Sequence, residues 1–252
     1  MSFLRPGRER AFAFNEPMVK RSDVFRPTVM YINPHALALH TLEPHLKWVV
    51  WSAEHLPRFV TRYFVFRLKG FLARKGVFRG NWDLKSRPFV ERDEFQLMAD
   101  LYKSLPDFRQ SAWYKRAKQM ITTTGRFSHK DCLAHDLVEL DQVFEGYLIH
   151  LLLSMMSEGY RQREGADYPE AMIGRDGTLI KTAHGTHRLC AAKIVGAPGL
   201  FPVKVVGVHR EWLSLLLAGS DGNQSEVVSN ALREIEQRYQ AGAEIIQKRR
   251  FG

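Results

Sequence analysis

The sequence predicts an α+β protein: a small mixed β-sheet wrapped by several α-helices. Three observations lead there. Apolar residues alternate on both sides of Asp176-Gly177, which reads as two strands joined by a tight turn, because such turns need the positive φ that glycine supplies freely. A helix then runs from Gly185 to Gly196, with a glycine at each end as punctuation. Finally, residues 93–158 carry apolar side chains at helical spacing.

In chain order, residues 1–27 are polar, Arg-rich and broken by prolines, and are expected to form a loose basic arm. Residues 28–218 form the expected single domain, with a helical insertion at about 93–158. Thr28 to Ile32 is β-prone and ends at Asn33-Pro34, a strand-then-turn signal. Trp48 to Val50 and Arg62 to Arg67 are further strand expectations. Gly80-Asn81-Trp82-Asp83 reads as a turn anchored by a buried indole.

Asp93 to Leu105 is a helix stopped by Pro106, and Ser111 caps the next one. Ser128-His129-Lys130-Asp131 has the form of a capping box opening a long helix to Glu158, with Gly159 as its stop. Pro202 to Val208 is expected as a buried strand closing the sheet, and His209 opens a short helix through Leu217. Gly219 to Gln224 is a small, polar linker. Residues 224–252 form an amphipathic helix ending in Lys248-Arg249-Arg250, which either packs on the domain or serves a partner or a second copy.

With 37 Lys and Arg against 27 Asp and Glu, the chain carries a formal net charge of +10, and that charge is uneven. No acid occurs between Glu54 and Asp83, whereas basic and aromatic residues interleave from Arg58 to Arg79. Such a stretch suits nucleic acid or another polyanion, and equally an amphipathic element with a solvated basic face. No run of apolar residues is long enough to span a membrane, and Cys132 and Cys190 sit far apart without metal or disulfide spacing. A cytoplasmic protein is the expectation.

The chemistry concentrates at the start of the Gly185 helix. A helix N-terminus offers amide N–H groups and the positive end of the helix dipole, which together favour an anion. Gly185 allows close approach, Thr186 adds a hydroxyl, and Arg188 brings a planar fork suited to phosphate. His187 either touches the phosphate and carries a proton or braces the helix, and His184 flanks the same place. His187 and Arg188 are thus the expected catalytic pair, and His184 to Arg188 the expected phosphate cradle. Lys181 could face the phosphate, while Asp176 is accounted for by the turn. Glu158, Asp167, Glu170 and Asp176 are the neighbouring acids for a base or for Mg2+, and spacing singles out none of them. Walker, Rossmann and His-Glu-x-x-His motifs are absent.

Gly185-Thr186-His187-Arg188-Leu189-Cys190-Ala191-Ala192, preceded by a hairpin and followed by Phe201-Pro202-Val203-Lys204-Val205, resembles the ParB/sulfiredoxin superfamily over about residues 150–212. Gly80 to Asp83 is similar to a segment found upstream in ParB-like domain proteins. The resemblance implies a nucleotide-binding domain in which the Gly-x-His-Arg box grips phosphates. It departs from sulfiredoxins, which have a cysteine where this chain has Thr186, and this argues against sulfinic-acid repair. It departs from partition proteins, which have Glu-Arg at Thr186-His187 and a following DNA-reading helix pair, and this argues against chromosome partition. The implied function is hydrolysis of a nucleoside triphosphate, or transfer of its phosphoryl group, with Mg2+. The rivals are a nucleic-acid-binding or nuclease-like protein and a non-catalytic adaptor.

Overall fold

The computed structural model describes residues 24–41, 76–129, 132–162, 165–182, 184–220 and 222–250, the last nine as helical backbone only. The strand expectations at 48–50 and 62–67, the arm before residue 24 and most of the basic stretch from Arg58 lie outside the described residues.

The strands are β1 (Thr28–Ile32), β2 (Leu39–His40), β3 (Val77–Phe78), β4 (Arg87–Pro88), β5 (Phe127–His129), β6 (Cys132–Ala134), β7 (Glu170–Ile173), β8 (Leu179–Lys181) and β9 (Phe201–His209). The helices are α1 (Asp93–Lys103), α2 (Ala112–Thr124), α3, α4 (Thr186–Val195), α5 (Arg210–Leu217) and α6 (Gln224–Arg250). Helix α3 joins α-helical Leu137–Val143 and His150–Glu158 through a π-helical turn, Phe144–Ile149. Among the described residues the class is mixed α/β: a seven-stranded mixed sheet and six helices.

The sheet runs β1-β9-β7-β8-β2-β4, with β3 also paired to β9. Rather than closing the sheet as the sequence suggests, β9 lies inside it, antiparallel to β1 and parallel to β7 and β3. Seven of its nine residues are buried, which explains its weak alternation: a strand covered on both faces has no polar face to show. Gly207 lets the β9 backbone pass under a ring, since a Cβ there would stand 2.5 Å from Phe78.

The β7–β8 hairpin forms as expected. Its turn is held by Gly174 N–H to Thr178 O (2.8 Å) and by Asp176 Oδ1 accepting from Thr178 N (2.9 Å), with Gly177 at φ 79°. Ser111 caps α2 through Tyr114 N, also as expected. The capping box expected at Ser128 does not start a helix. Phe127 and Ala134 are buried opposite each other in the β5–β6 hairpin, and α3 begins at Leu137 under Asp136, whose carboxylate accepts from Glu139 N at 2.8 Å. The same cap spacing occurs at Ser128 and again at Asp136, and strand pairing of Phe127 with Ala134 selects the second.

Two buried ionic clusters tie the sheet to its surroundings. The Asp83 carboxylate accepts from Arg175 N (3.0 Å), Nε (2.8 Å) and Nη2 (3.0 Å), and the Gly80 carbonyl accepts from His209 Nε2 at 2.8 Å. Gly80 to Asp83 therefore clasps the hairpin turn, and Trp82 is buried beneath it as expected. On the other side of the molecule, Lys193 of α4 donates to the carbonyls of Pro34 (2.9 Å), His35 (3.2 Å) and Leu37 (3.1 Å), fixing the turn between β1 and β2. Burial pulls its ammonium down to about 8.

Helix α6 packs on the domain through the described part of its length. Val228, Leu232 and Ile235 are buried, Glu236 accepts from Tyr31 N at 2.6 Å, and the Tyr239 hydroxyl accepts from Leu179 N at 2.8 Å. No helix among the described residues is long and apolar enough to cross a membrane.

Burial pushes the Asp83 carboxyl up, but the bonds from Arg175 outweigh it and bring the group down to about 2. A depressed carboxyl stabilises the fold above its unfolded value near pH 4, and that contribution is lost as pH falls through about 2. Asp83→Asn is expected to cost about 2–3 kcal/mol at pH 7 and to flatten the stability change between about pH 4 and 2, read by urea denaturation. In the same assay Lys193→Met, which strands three carbonyls, is expected to cost about 3 kcal/mol.

Candidate functional site

The site starts from a buried charge. Lys181, the last residue of β8, is fully buried, and its ammonium donates to the Thr182 carbonyl (2.5 Å) and to the His184 carbonyl. The sequence leaves open that Lys181 faces the phosphate; instead it lies beneath the loop that carries the box. The Glu170 N–H also donates to His184 O (3.1 Å), so that carbonyl is held from two sides. A peptide plane points its C=O and N–H in opposite directions, so the Gly185 N–H is turned away from Lys181.

Gly185 then adopts φ 74°, ψ 21°, and Thr186 begins α4 in the right-handed region. A left-handed residue followed by a right-handed one converges successive N–H groups into a concavity that takes anions. No other residue fits here: a Cβ on Gly185 would stand 2.5 Å from Pro169 Cα. Helix α4 is buried from Leu189 to Ala192 between α1 and α3, which holds its first turn in place. Cys190 packs there as expected, and burial pushes its thiol up to about 12, out of the reactive range.

This first turn opens on a cleft of about 1000 Å3. Its walls are the second half of α3, residues 159–162 with Ala166 and Asp167, the start of α1 and residues His184 to Arg188. All five residues of the expected cradle line it. They differ in setting. His184 is exposed, and Gly185, Thr186 and Arg188 are half-buried. Arg188 Nη1 donates to the Tyr160 hydroxyl at 2.9 Å, and its guanidinium stands 5.9 Å from the Tyr160 ring centroid. Tyr160 is itself held edge-on against Phe201 (4.9 Å) and donates to Gln162 Oε1 at 2.5 Å. Arg188 is thus braced at the wall of the cleft.

His187 is only 8% exposed. Its ring packs against His129 (4.8 Å) and Trp113 (5.9 Å), and its Nδ1 lies 3.5 Å from the Tyr147 hydroxyl. It sits at the floor of the cleft in an aromatic nest, so bracing the helix and touching a ligand are compatible roles for it.

Of the acids that sequence cannot rank, Glu158 and Asp167 line the cleft. Asp176 serves the hairpin turn, and Glu170 sits in β7. Glu158 is paired with Arg161 at 3.2 Å. Sequence reasoning misses Arg92 and Glu94, which enter from the start of α1 and pair at 3.0 Å, with Arg92 Nη1 also 3.2 Å from His40 Nδ1. Burial pushes the Glu94 carboxyl up, and the bonds from Arg92 bring it below its ordinary value. Acids in the first turn of a predicted helix are a cap signal, and that signal conceals a place in the cleft. Among the described residues no group of three His, Cys, Asp or Glu is placed to hold a metal ion.

Comparison with family models, with curated proteins and with solved structures gives no match to this chain. A functional reading rests on the geometry of the cleft and on the sequence of the box.

Gly185→Ala combines a left-handed φ with a clash against Pro169. It is expected to lower the unfolding free energy by more than about 2 kcal/mol in urea denaturation, whereas Ala at exposed Gly146, with open space around it, should cost far less.

Proposed function

We propose that this chain is a ParB/sulfiredoxin-like nucleotide-binding protein, which grips the phosphates of a nucleoside triphosphate with Gly185 to Arg188 and hydrolyses it or transfers its phosphoryl group. The observation that carries this reading is the meeting of three features in one cleft of about 1000 Å3: the Gly185–Thr186 turn, the N-terminus of α4 and the braced Arg188 guanidinium. Each favours a phosphate oxygen for a separate physical reason: converging amides, the helix dipole and a planar fork of donors.

In the reaction, the bond from phosphorus to the bridging oxygen breaks and a new bond forms to the oxygen of water or of an acceptor hydroxyl. That oxygen gives its proton to a base, and the departing phosphate keeps the electron pair. Arg188 and the box amides would neutralise the phosphate oxygens. The carboxylates that line the cleft and are available as base are Glu94, paired with Arg92, Glu158, paired with Arg161, and Asp167. Mg2+ is commonly held by one or two carboxylates together with substrate phosphates. One or two of these cleft acids would fit an ion that arrives with the nucleotide, and the chemistry it would supply is charge neutralisation.

Arg188→Ala is expected to abolish nucleotide binding while the fold persists. Losing one partner of a charged hydrogen-bonded pair costs about 2–5 kcal/mol. Calorimetric titration of ATP, ADP, CTP and GTP with Mg2+ into both proteins checks this. Binding by neither protein would remove the nucleotide reading and transfer weight to a polyanion partner, whose binding weakens steeply with salt.

A further inference from the structure

Three arginines line the cleft, and they are held in two different ways. Arg92 pairs with Glu94 at 3.0 Å and Arg161 with Glu158 at 3.2 Å, so each of these charges is met by a carboxylate. Arg188 pairs with no carboxylate among the described residues. Its Nη1 donates instead to a neutral partner, the Tyr160 hydroxyl, at 2.9 Å. A carboxylate would fix the guanidinium and cancel its charge; a phenol fixes it and leaves the charge to a ligand.

Tyr160 is suited to that task in three respects. Its proton is already committed. Gln162 Nε2 donates to the Ala166 carbonyl, which turns Gln162 Oε1 toward Tyr160, and the hydroxyl donates to that oxygen at 2.5 Å. What remains on the phenol oxygen is acceptor capacity, and the guanidinium, a donor only, takes it. Burial pushes the phenol above its ordinary value, so it is neutral at pH 7. Its ring stands edge-on to Phe201, 4.9 Å away and 1% exposed at the start of β9, which mounts the acceptor on an inner strand of the sheet. A ligand that had to order a loose arginine would lose affinity to that ordering. Resting on the phosphate-binding reading above, we infer that Tyr160 is a positioning residue of the site: it accepts from Arg188, donates nothing to the ligand, and holds the guanidinium in place at full charge before phosphate arrives.

The test uses the full chain and inorganic pyrophosphate without a divalent ion, so that no metal ligand enters the comparison. Wild type is set against Tyr160→Phe, which keeps the ring on Phe201 and removes only the hydroxyl. Binding is read by calorimetry, and side-chain order by 15N relaxation of the Arg188 Nε–H group in the ligand-free proteins. Tyr160→Phe is expected to bind about three- to tenfold more weakly, the range set by ordering one long side chain, and to keep the residual binding that Arg188→Ala lacks. Arg188 Nε–H should be ordered in wild type and mobile in Tyr160→Phe, a change that packing of the ring alone would not produce. Equal affinity of the two proteins, or an Arg188 order untouched by the substitution, overturns the inference while the phosphate reading stands. A loss as complete as that of Arg188→Ala would make the hydroxyl a direct ligand donor and overturns it too. A mobile Arg188 in ligand-free wild type overturns it even if the variant fails to fold. Wild type that binds no pyrophosphate removes the phosphate reading and this inference with it.

Discussion

A lysine ammonium cannot be left bare inside a protein, and Lys181 is wholly inside this one. The chain answers by folding the loop after β8 around it, so that two carbonyls turn inward. Everything downstream inherits that decision: the opposed direction of the Gly185 N–H, the left-handed turn against Pro169, and the place where α4 starts. The box is therefore shaped from below by a charge buried under its loop. Lys193 repeats the device at the other end of the same helix, where its ammonium gathers three carbonyls of the β1–β2 turn. Helix α4 is apolar along its middle and is pinned at each end by a buried cation, which gives the site a rigid frame.

The clasp around Asp83 supplies the rest of that frame. Gly80 to Asp83 holds the turn of the hairpin whose other end carries Lys181. Strand β9 lies beside β7, so the sheet places both ends of the hairpin under control. The site is then completed by parts far apart in sequence, α1, α3 and the residues around Tyr160, which close over the first turn of α4.

What can be read from sequence follows the range of each interaction. Gly185, Gly196, Asp176-Gly177 and Ser111 declare themselves because their signals act over a few residues, and each stands where its local pattern puts it. Ser128 misleads for a complementary reason: local cap spacing is satisfied twice, and only the pairing of Phe127 with Ala134 decides between them. The inner position of β9 depends on β1, near the other end of the chain, and on β7, and no local pattern encodes that order. That His184 to Arg188 line one cleft is legible because the five residues are contiguous. Arg92, Glu94, Tyr160 and the α3 wall are not, because each is an ordinary helix or loop residue until the chain brings it to the cleft.

The π turn in α3 gives the wall of the cleft a tolerance as well as a shape. A widened turn takes up one residue more than an α-helical turn does, so loss of one residue between Phe144 and Ile149 would close it to α-helical geometry and leave the side chains of His150–Glu158 in their present phase. The same loss within His150–Glu158 would swing every following side chain about 100° around the axis. The helix thus carries an expansion joint, at which the chain can shorten by one residue without turning the wall beyond it.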